Sequence, residues 1–210
     1  TIYRLIYEGY VVKGNLKYLR HKGKNRVKNK PGRSGKLGKS IRKRPKYIYK
    51  RQEFGHWEID TVVSGQGKST ACFVTFAERM TRYYIAVKAP NRKANTVKKI
   101  IIDTLSKFPK GAVKTITTDN GNEFAEWEKV EKALNCEVYF CDTYCSWQKG
   151  TNENSNGLLR EFYPKGKNLS RVSDKKLEKN LALINARPKK ILAYKKPQEL
   201  FEECLAKCCT

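Results

Sequence analysis

Long apolar runs are missing from this sequence: no stretch approaches the roughly 18–20 residues that a membrane-spanning helix needs. No short apolar segment follows a charged N-terminus in the manner of a signal peptide. The expectation is a soluble protein of the cytoplasm, with no membrane partner. Histidine is scarce, with only His21 and His56. Seven cysteines are present, but they form no pair of CxxC elements. A structural zinc site is therefore not expected, and the cysteines read as reduced, structural thiols rather than a disulfide framework. A methionine is lacking at position 1, and TIYRLIYEG (1–9) reads like the end of a helix already under way, as if an N-terminal part were missing.

Acidic residues are the scarcest class relative to their counterparts: 20 Asp and Glu face 45 Lys and Arg, for a net charge of +25. Residues 1–52 hold 18 of the basic residues and one acid, Glu8, which leaves only +8 for residues 53–210. A field of one sign this strong favours a polyanion, and nucleic acid is the first candidate. Residues 22–46, which include Arg42 and Arg44, have too few large apolar side chains to fold alone. They read as an extended arm that lies on DNA.

From residue 54 the pattern becomes that of a packed α/β domain. Strand-like runs at 56–64, 69–79 and 82–89, separated by short turns, predict an antiparallel meander. Residues 94–107 have helical spacing, with Val97, Ile101 and Leu105 at i, i+4 and i+8 and Pro109 beyond the end. A strand at 112–118, a helix at about 123–134, a strand at 136–141 and helices near 152–162, 174–186 and 197–208 complete a mixed five-stranded sheet flanked by helices. The expected division is a basic arm with the end of a helical region (1–52), a catalytic core (53–165) and a C-terminal helical extension (166–210). The segment GQGKS (65–69) resembles a phosphate loop only superficially. The pattern needs a glycine where Val62 stands, so a hairpin turn is expected instead.

Three acids stand out by context. Asp60 lies inside a strongly apolar strand, where an ionised carboxylate is costly without a partner. Asp119 ends a strand and is followed by Asn120-Gly121, and Glu153 opens a helix. Carboxylates converging on a small volume can hold a pair of Mg²⁺ ions, which activate an attacking oxygen and stabilise a leaving one in phosphoryl transfer. Each acid taken singly is equally an ion pair, an Asx turn or a helix-terminus charge; only the set points to a metal centre.

These residues also carry a resemblance. FGHWEIDTV (54–62), ITTDNGNEFA (116–125) and WQKGTNENSNGLLREFYPKG (147–166) resemble the catalytic blocks of bacterial insertion-sequence transposases, closest to the family numbered thirty, within the retroviral-integrase superfamily. NARPKK (185–190) and YKKPQELF (194–201) resemble that family's C-terminal block. The spacing is similar too, with 58 residues between Asp60 and Asp119 and 33 between Asp119 and Glu153. The chain departs from the family at Ile59, Ser146 and Lys149, where Gly, Pro and Arg are usual.

The resemblance implies an RNase-H-like fold and a transposase that cleaves transposon ends and transfers strands into target DNA. It implies Asp60, Asp119 and Glu153 as catalytic residues and ligands of two Mg²⁺ (or Mn²⁺) ions. Terminal inverted repeats and target DNA would be the partners, with the protein a homo-oligomer on DNA near the nucleoid. The alternative is a non-catalytic DNA-binding protein derived from a transposase. Expected DNA contacts are Arg160, beside the metals or in a surface ion pair; Trp147, stacking on a base or anchored in the core; and Lys149, Asn152, Lys165, Arg187 and Lys189. Asn152 and Asn154 could equally position the glutamate or cap its helix. His56 reads as a satisfied core histidine more readily than as an acid–base group.

Overall fold

A computed structural model describes residues 37–143 and 145–208, together with Leu5 and Tyr10. The chain divides into two compact units, Thr1–Gly32 and Arg33–Thr210. The expected arm over 22–36 lies outside the described residues; the sheet and its helices all belong to the second unit.

Five strands form one sheet: β1 (His56–Val63), β2 (Cys72–Glu78), β3 (Tyr84–Ala89), β4 (Thr115–Thr118) and β5 (Glu137–Phe140). Their order is β3-β2-β1-β4-β5. The first three pair antiparallel, as the short turns predict, while β4 joins β1, and β5 joins β4, in parallel. The two parallel connections run through α1 (Ala94–Leu105) and α2 (Trp127–Leu134). The chain continues through α3 (Gly150–Phe162), α4 (Asp174–Asn185) and α5 (Pro197–Cys208). Among the described residues no helix is long and apolar enough to cross a membrane.

Because side chains alternate along a strand, each strand serves two cores. Trp57 and Ile59 of β1, with Cys72, Val74 and Phe76 of β2, face a layer built from α1, α2 and α5. Val97, Ile101 and Leu105 bury the predicted stripe of α1, and Phe201 of α5 packs among Phe54, Trp57, Tyr83 and Phe108. On the opposite face, Val62, Phe73, Ala77 and Tyr84 pack against Leu158, Leu159 and Tyr163 of α3 and its end, and against Leu177 and Ile184 of α4. The C-terminal helices are thus integral to both layers rather than an appendage.

The structure corrects the expected arm over residues 37–46. Ile41 and Ile48 are both 1% exposed, Ser40 bridges to Phe140 on the outer strand, and Lys39 pairs with Glu131 and Glu137. Two isoleucines spaced seven apart in a lysine-rich stretch suffice to dock it against β5. The expected helix at 123–134 is also shortened. A 3₁₀ turn, Asn122–Phe124, precedes α2 because Glu123 is drawn inward by tertiary partners. The segment 64–71 is the expected connection between β1 and β2, and Gly65 lies so close to Gly166 that a side chain there would collide with backbone.

Candidate active site

Strand register brings the two aspartates together. In the parallel pairing of β1 with β4, His56 lies opposite Thr115 and Glu58 opposite Thr117. Extended by two residues, that register sets Asp60 beside Asp119, which lies one residue past the end of β4, on the sheet face that meets α3. Parallel neighbours lie about 4.8 Å apart, so two carboxylates there repel unless a cation intervenes.

Lys149 supplies that cation. Its Nζ lies 3.4 Å from Asp60 Oδ1 and 3.2 Å from Asp119 Oδ2, and it donates to the carbonyl of Ile59 at 3.3 Å. Burial opposes the charge of the ammonium, but Asp60 and Asp119 outweigh it and hold its pKa above the usual range. For Asp60 burial dominates, with Lys149 offsetting it in part and Asp119 adding to it, so its carboxyl is pushed up.

Other contacts fix how the carboxylates point. Asp60 Oδ1 accepts from Thr61 N at 2.8 Å, and Oδ2 accepts from Asn156 Nδ2 at 3.3 Å. Asn156 is itself held by the Tyr84 hydroxyl, which donates to its Oδ1 at 2.6 Å. Asp119 Oδ1 accepts from Gly121 N at 2.9 Å, so the Asx turn and the functional contact coexist, one on each oxygen. Asn120 anchors that turn, donating to the Cys141 carbonyl at 2.6 Å and accepting from Leu37 N. Buried Cys141 borders the site with its thiol pushed up to about 12, chiefly by desolvation, and is not a nucleophile.

The carboxylates open onto a cleft of about 500 Å³ whose walls include Arg92 and Glu123. Glu123 is 5% exposed, accepts from the Thr61 hydroxyl at 2.9 Å and pairs with Arg92 at 3.2 Å. It therefore bridges the two strand ends that carry the aspartates.

Glu153 stands in the first turn of α3. Residues three and four apart share a helix face, and three residues in register with Glu153 all touch β1. Lys149 reaches Ile59 and Asp60, Asn156 reaches Asp60, and Arg160 donates to the Val63 carbonyl at 2.9 Å. The face bearing Glu153 thus runs along β1. Among the described residues, no three His, Cys, Asp or Glu side chains stand close enough together to hold a metal ion. The two aspartates are assembled around Lys149, and Glu153 does not complete a cluster with them.

Several expected DNA contacts are placed elsewhere. Lys149, at 5% exposure, is enclosed between the aspartates rather than presented to a ligand. Asn152 is fully buried; its amide donates to the carbonyls of Glu58 and Thr75 and accepts from the Thr75 hydroxyl, while its backbone N–H donates to Glu58. It ties α3 to the sheet and cannot touch DNA. Arg160 is engaged by the carbonyls of Val63 and Tyr163. Arg42 is exposed and pairs with Asp142, whereas Arg44 is 2% exposed and donates to Thr117. Trp147 is 70% exposed, which excludes the core-anchor alternative. Lys165 and Arg187 lie exposed on the C-terminal side, and Lys189 is half-buried. His56 is a satisfied core histidine, bonded to Thr115 and Glu53 at 2.8 Å each. The buried cysteines, Cys72, Cys136, Cys141 and Cys204, are free thiols, as expected.

Residues 50–146 match the integrase core domain family. The chain is 38% identical over 206 residues to a probable transposase for insertion-like sequence element IS1161 of Streptococcus salivarius, covering 96% of this chain and 58% of that protein. It is 34% identical over 169 residues to transposase InsI for insertion sequence element IS30A of Escherichia coli K12, covering 80% of this chain and 43% of that protein. The chain therefore spans about half the length of these curated relatives. Among solved structures, the catalytic core domain of BIV integrase superposes with a TM-score of 0.56 at 17% identity, covering 74% of this chain and 98% of that one. That likeness establishes the RNase-H-like fold. With the sequence blocks, the sheet order and these relatives in agreement, the chain matches the integrase core domain family over residues 50–146 and is similar over most of its length to insertion-sequence transposases.

Proposed function

We propose that this chain carries the phosphoryl-transfer centre of a DNA transposase, cleaving transposon ends and joining them to target DNA. The observation that carries the reading is the pair Asp60 and Asp119, brought side by side by strand register and already sharing one cation. Their hard oxygen donors suit a divalent metal such as Mg²⁺ or Mn²⁺. Glu153, on the helix face that runs along β1, would supply the third carboxylate, with Lys149 giving up its place between the aspartates. Bound ions would supply the charge that activates an attacking water or 3′-hydroxyl and steadies the leaving oxygen.

The chain's own residues do the positioning. Tyr84 and Asn156 orient Asp60, Gly121 and Asn120 orient Asp119, and Glu123 with Arg92 braces the strand ends. Transposon terminal repeats and target DNA would be the substrates, and a homo-oligomer on paired ends the working form. The chain is read as acting near the nucleoid. The proposed functional division is a basic region over 1–52 that contributes DNA affinity, its part from residue 37 docked on the sheet, a core over 53–165, and an extension over 166–210 whose helices pack into both layers of that core.

Cleavage of labelled DNA ends in Mg²⁺ or Mn²⁺, with EDTA and Asp119→Asn as controls, tests this. Metal-dependent nicking that vanishes in the variant supports it. DNA binding without cleavage, the same in wild type and variant, would transfer the chain to the non-catalytic DNA-binding alternative.

A further inference from the structure

The helix that carries Glu153 begins without a cap of its own. α3 follows directly on the turn Ser146–Lys149, and Lys149 at its N-cap position makes no side-chain bond to the first backbone N–H groups. An ammonium can only donate, and this one is engaged by the aspartates. The first N–H groups of a helix have no partner within it, and buried ones need an acceptor from elsewhere. Glu58 of β1 is that acceptor for Asn152. Its Oε2 accepts the backbone N–H at 2.8 Å, and its main-chain carbonyl accepts the Asn152 side-chain amide at 2.8 Å. Asn152 immediately precedes Glu153.

The capping carboxylate is itself held from behind. Glu58 is fully buried, and its other oxygen meets Nη1 of the buried Arg79 at 2.5 Å. Arg82 completes the seat, donating to the Thr151 hydroxyl at 2.7 Å from a left-handed backbone at φ 63°. That conformation is disfavoured for a residue with a side chain and persists where the surroundings hold it. A buried ion pair is a weak source of stability, since apolar residues of the same volume often serve the fold as well. Position is what this pair supplies. Side chains two apart on a strand share a face, so β1 carries Asp60 and, through Glu58, also holds the start of α3.

We propose that Glu58 and Arg79 are positioning residues for the metal centre: Glu58 caps α3 from the neighbouring strand and so keeps Glu153 in step with Asp60. The inference rests on the phosphoryl-transfer reading above, because a shared metal centre is what requires those two carboxylates at a fixed separation. The negative charge of Glu58 also suits the positive end of the helix. Without the cap, α3 keeps its apolar contacts further along, at Leu158, Leu159 and Tyr163. Its far end therefore stays packed while its first turn frays, and Glu153 shifts against Asp60 without loss of the fold.

The test compares two double substitutions in the 210-residue chain, both of which remove the buried charges. Glu58→Gln/Arg79→Gln keeps an acceptor for the Asn152 N–H, whereas Glu58→Leu/Arg79→Met keeps the volume and offers none. Melting curves check that each is folded. In metal-free protein, hydrogen exchange over residues 150–156 is read by mass spectrometry. It should match wild type in the first variant and run on the order of tenfold faster in the second, uncapped one. Mn²⁺ affinity, read by titration calorimetry, should be kept in the first and fall roughly tenfold or more in the uncapped variant. Adding Glu153→Gln to the uncapped variant should cost little beyond what Glu153→Gln costs alone, because both remove the same ligand.

Equal exchange in the two variants overturns the cap. Faster exchange with Mn²⁺ losses that add to those of Glu153→Gln overturns the link to Glu153. An uncapped variant that fails to fold while its partner is native makes the pair a structural one, which overturns the positioning role as well. If Glu153→Gln leaves Mn²⁺ affinity at the wild-type level, the metal reading of Glu153 fails, and the cap then stands or falls on exchange alone, which separates the two inferences.

Discussion

Lys149 and Asp119 face one another across the floor of the cleft, Nζ to Oδ2 at 3.2 Å, with Asp60 completing the contact at 3.4 Å. The ammonium does for the metal-free protein what a bound ion would do, cancelling repulsion between two carboxylates held side by side by the sheet. Lys149→Met keeps the bulk and removes the charge. Breaking a fully buried pair costs about 3–5 kcal/mol, but Asp119 is nearly half exposed, so a smaller loss of about 1–2 kcal/mol is expected here. The metal-free variant should melt roughly 2–8 °C lower, and Mn²⁺ should stabilise it more than it stabilises wild type. Equal metal responses in a thermal melt would show that ammonium and ion do not compete.

Gly121 leaves little room beside the aspartate. A Cβ built there would collide with the Glu123 carboxylate and stand 3.0 Å from Asp119 Oδ1. Gly121→Ala should therefore displace Asp119 while sparing the core. Metal-dependent DNA cleavage is expected to fall by roughly 10²-fold with little change in melting temperature. Full activity in that variant would show that the turn has slack the distances do not reveal.

Asn152 is the tie between α3 and the sheet. Asn152→Ala removes the amide that donates to the carbonyls of Glu58 and Thr75, while the Thr75 hydroxyl keeps its bond to the Asp60 carbonyl at 3.2 Å. Each buried group left unpaired costs about 1–3 kcal/mol, and partial relaxation brings the expected total to roughly 2–4 kcal/mol. Urea unfolding should show a lower midpoint at constant slope, whereas an unchanged midpoint would contradict the buried network.

Acid sensitivity should trace in part to His56. Burial, the largest influence, lowers its pKa below the ordinary 6.5 despite the opposing carboxylate of Glu53. The unfolded chain therefore takes up the proton first. The stabilising contribution is complete above pH 6.5 and is lost as the pH falls from there through the folded-state pKa. Melting temperature should decline below about pH 6.5, and His56→Gln should flatten that decline. A variant with the wild-type pH profile would assign the acid sensitivity to other groups.

How much of the fold and site is legible in the sequence depends on how local each signal is. The α1 stripe of Val97, Ile101 and Leu105 and the antiparallel meander follow from periodicities of a few residues, and both are present. Asp60 and Asp119 stand out because a carboxylate inside an apolar strand, or at a strand end before Asn-Gly, is anomalous within a short window. Glu58 looks ordinary beside Asp60, because its partners, Arg79 and Asn152, lie 21 and 94 residues away. Asn156, which orients Asp60, is visible only as the residue three after Glu153, a spacing that gains meaning once the helix is known to run along β1. The docking of residues 37–52 is hidden by composition, since two buried isoleucines outweigh many solvated lysines. The destination of Lys149 is the least legible, because the same side chain serves a phosphate or a carboxylate equally well.

The turn Ser146–Lys149 has a mechanical consequence. Trp147 lines an arginine-walled cavity of about 780 Å³ and Lys149 lines the aspartate cleft, with a single residue between them in a segment of four. A shift of so short a piece of backbone carries both side chains, whereas a rotamer change moves either one alone. The lever has its fulcrum at Gln148, whose amide donates to the Asp142 carboxylate and whose carbonyl oxygen accepts from the Asp142 backbone. A ligand that shifted this backbone on binding in one cavity would therefore bias the other, and by linkage the bias would run equally in both directions.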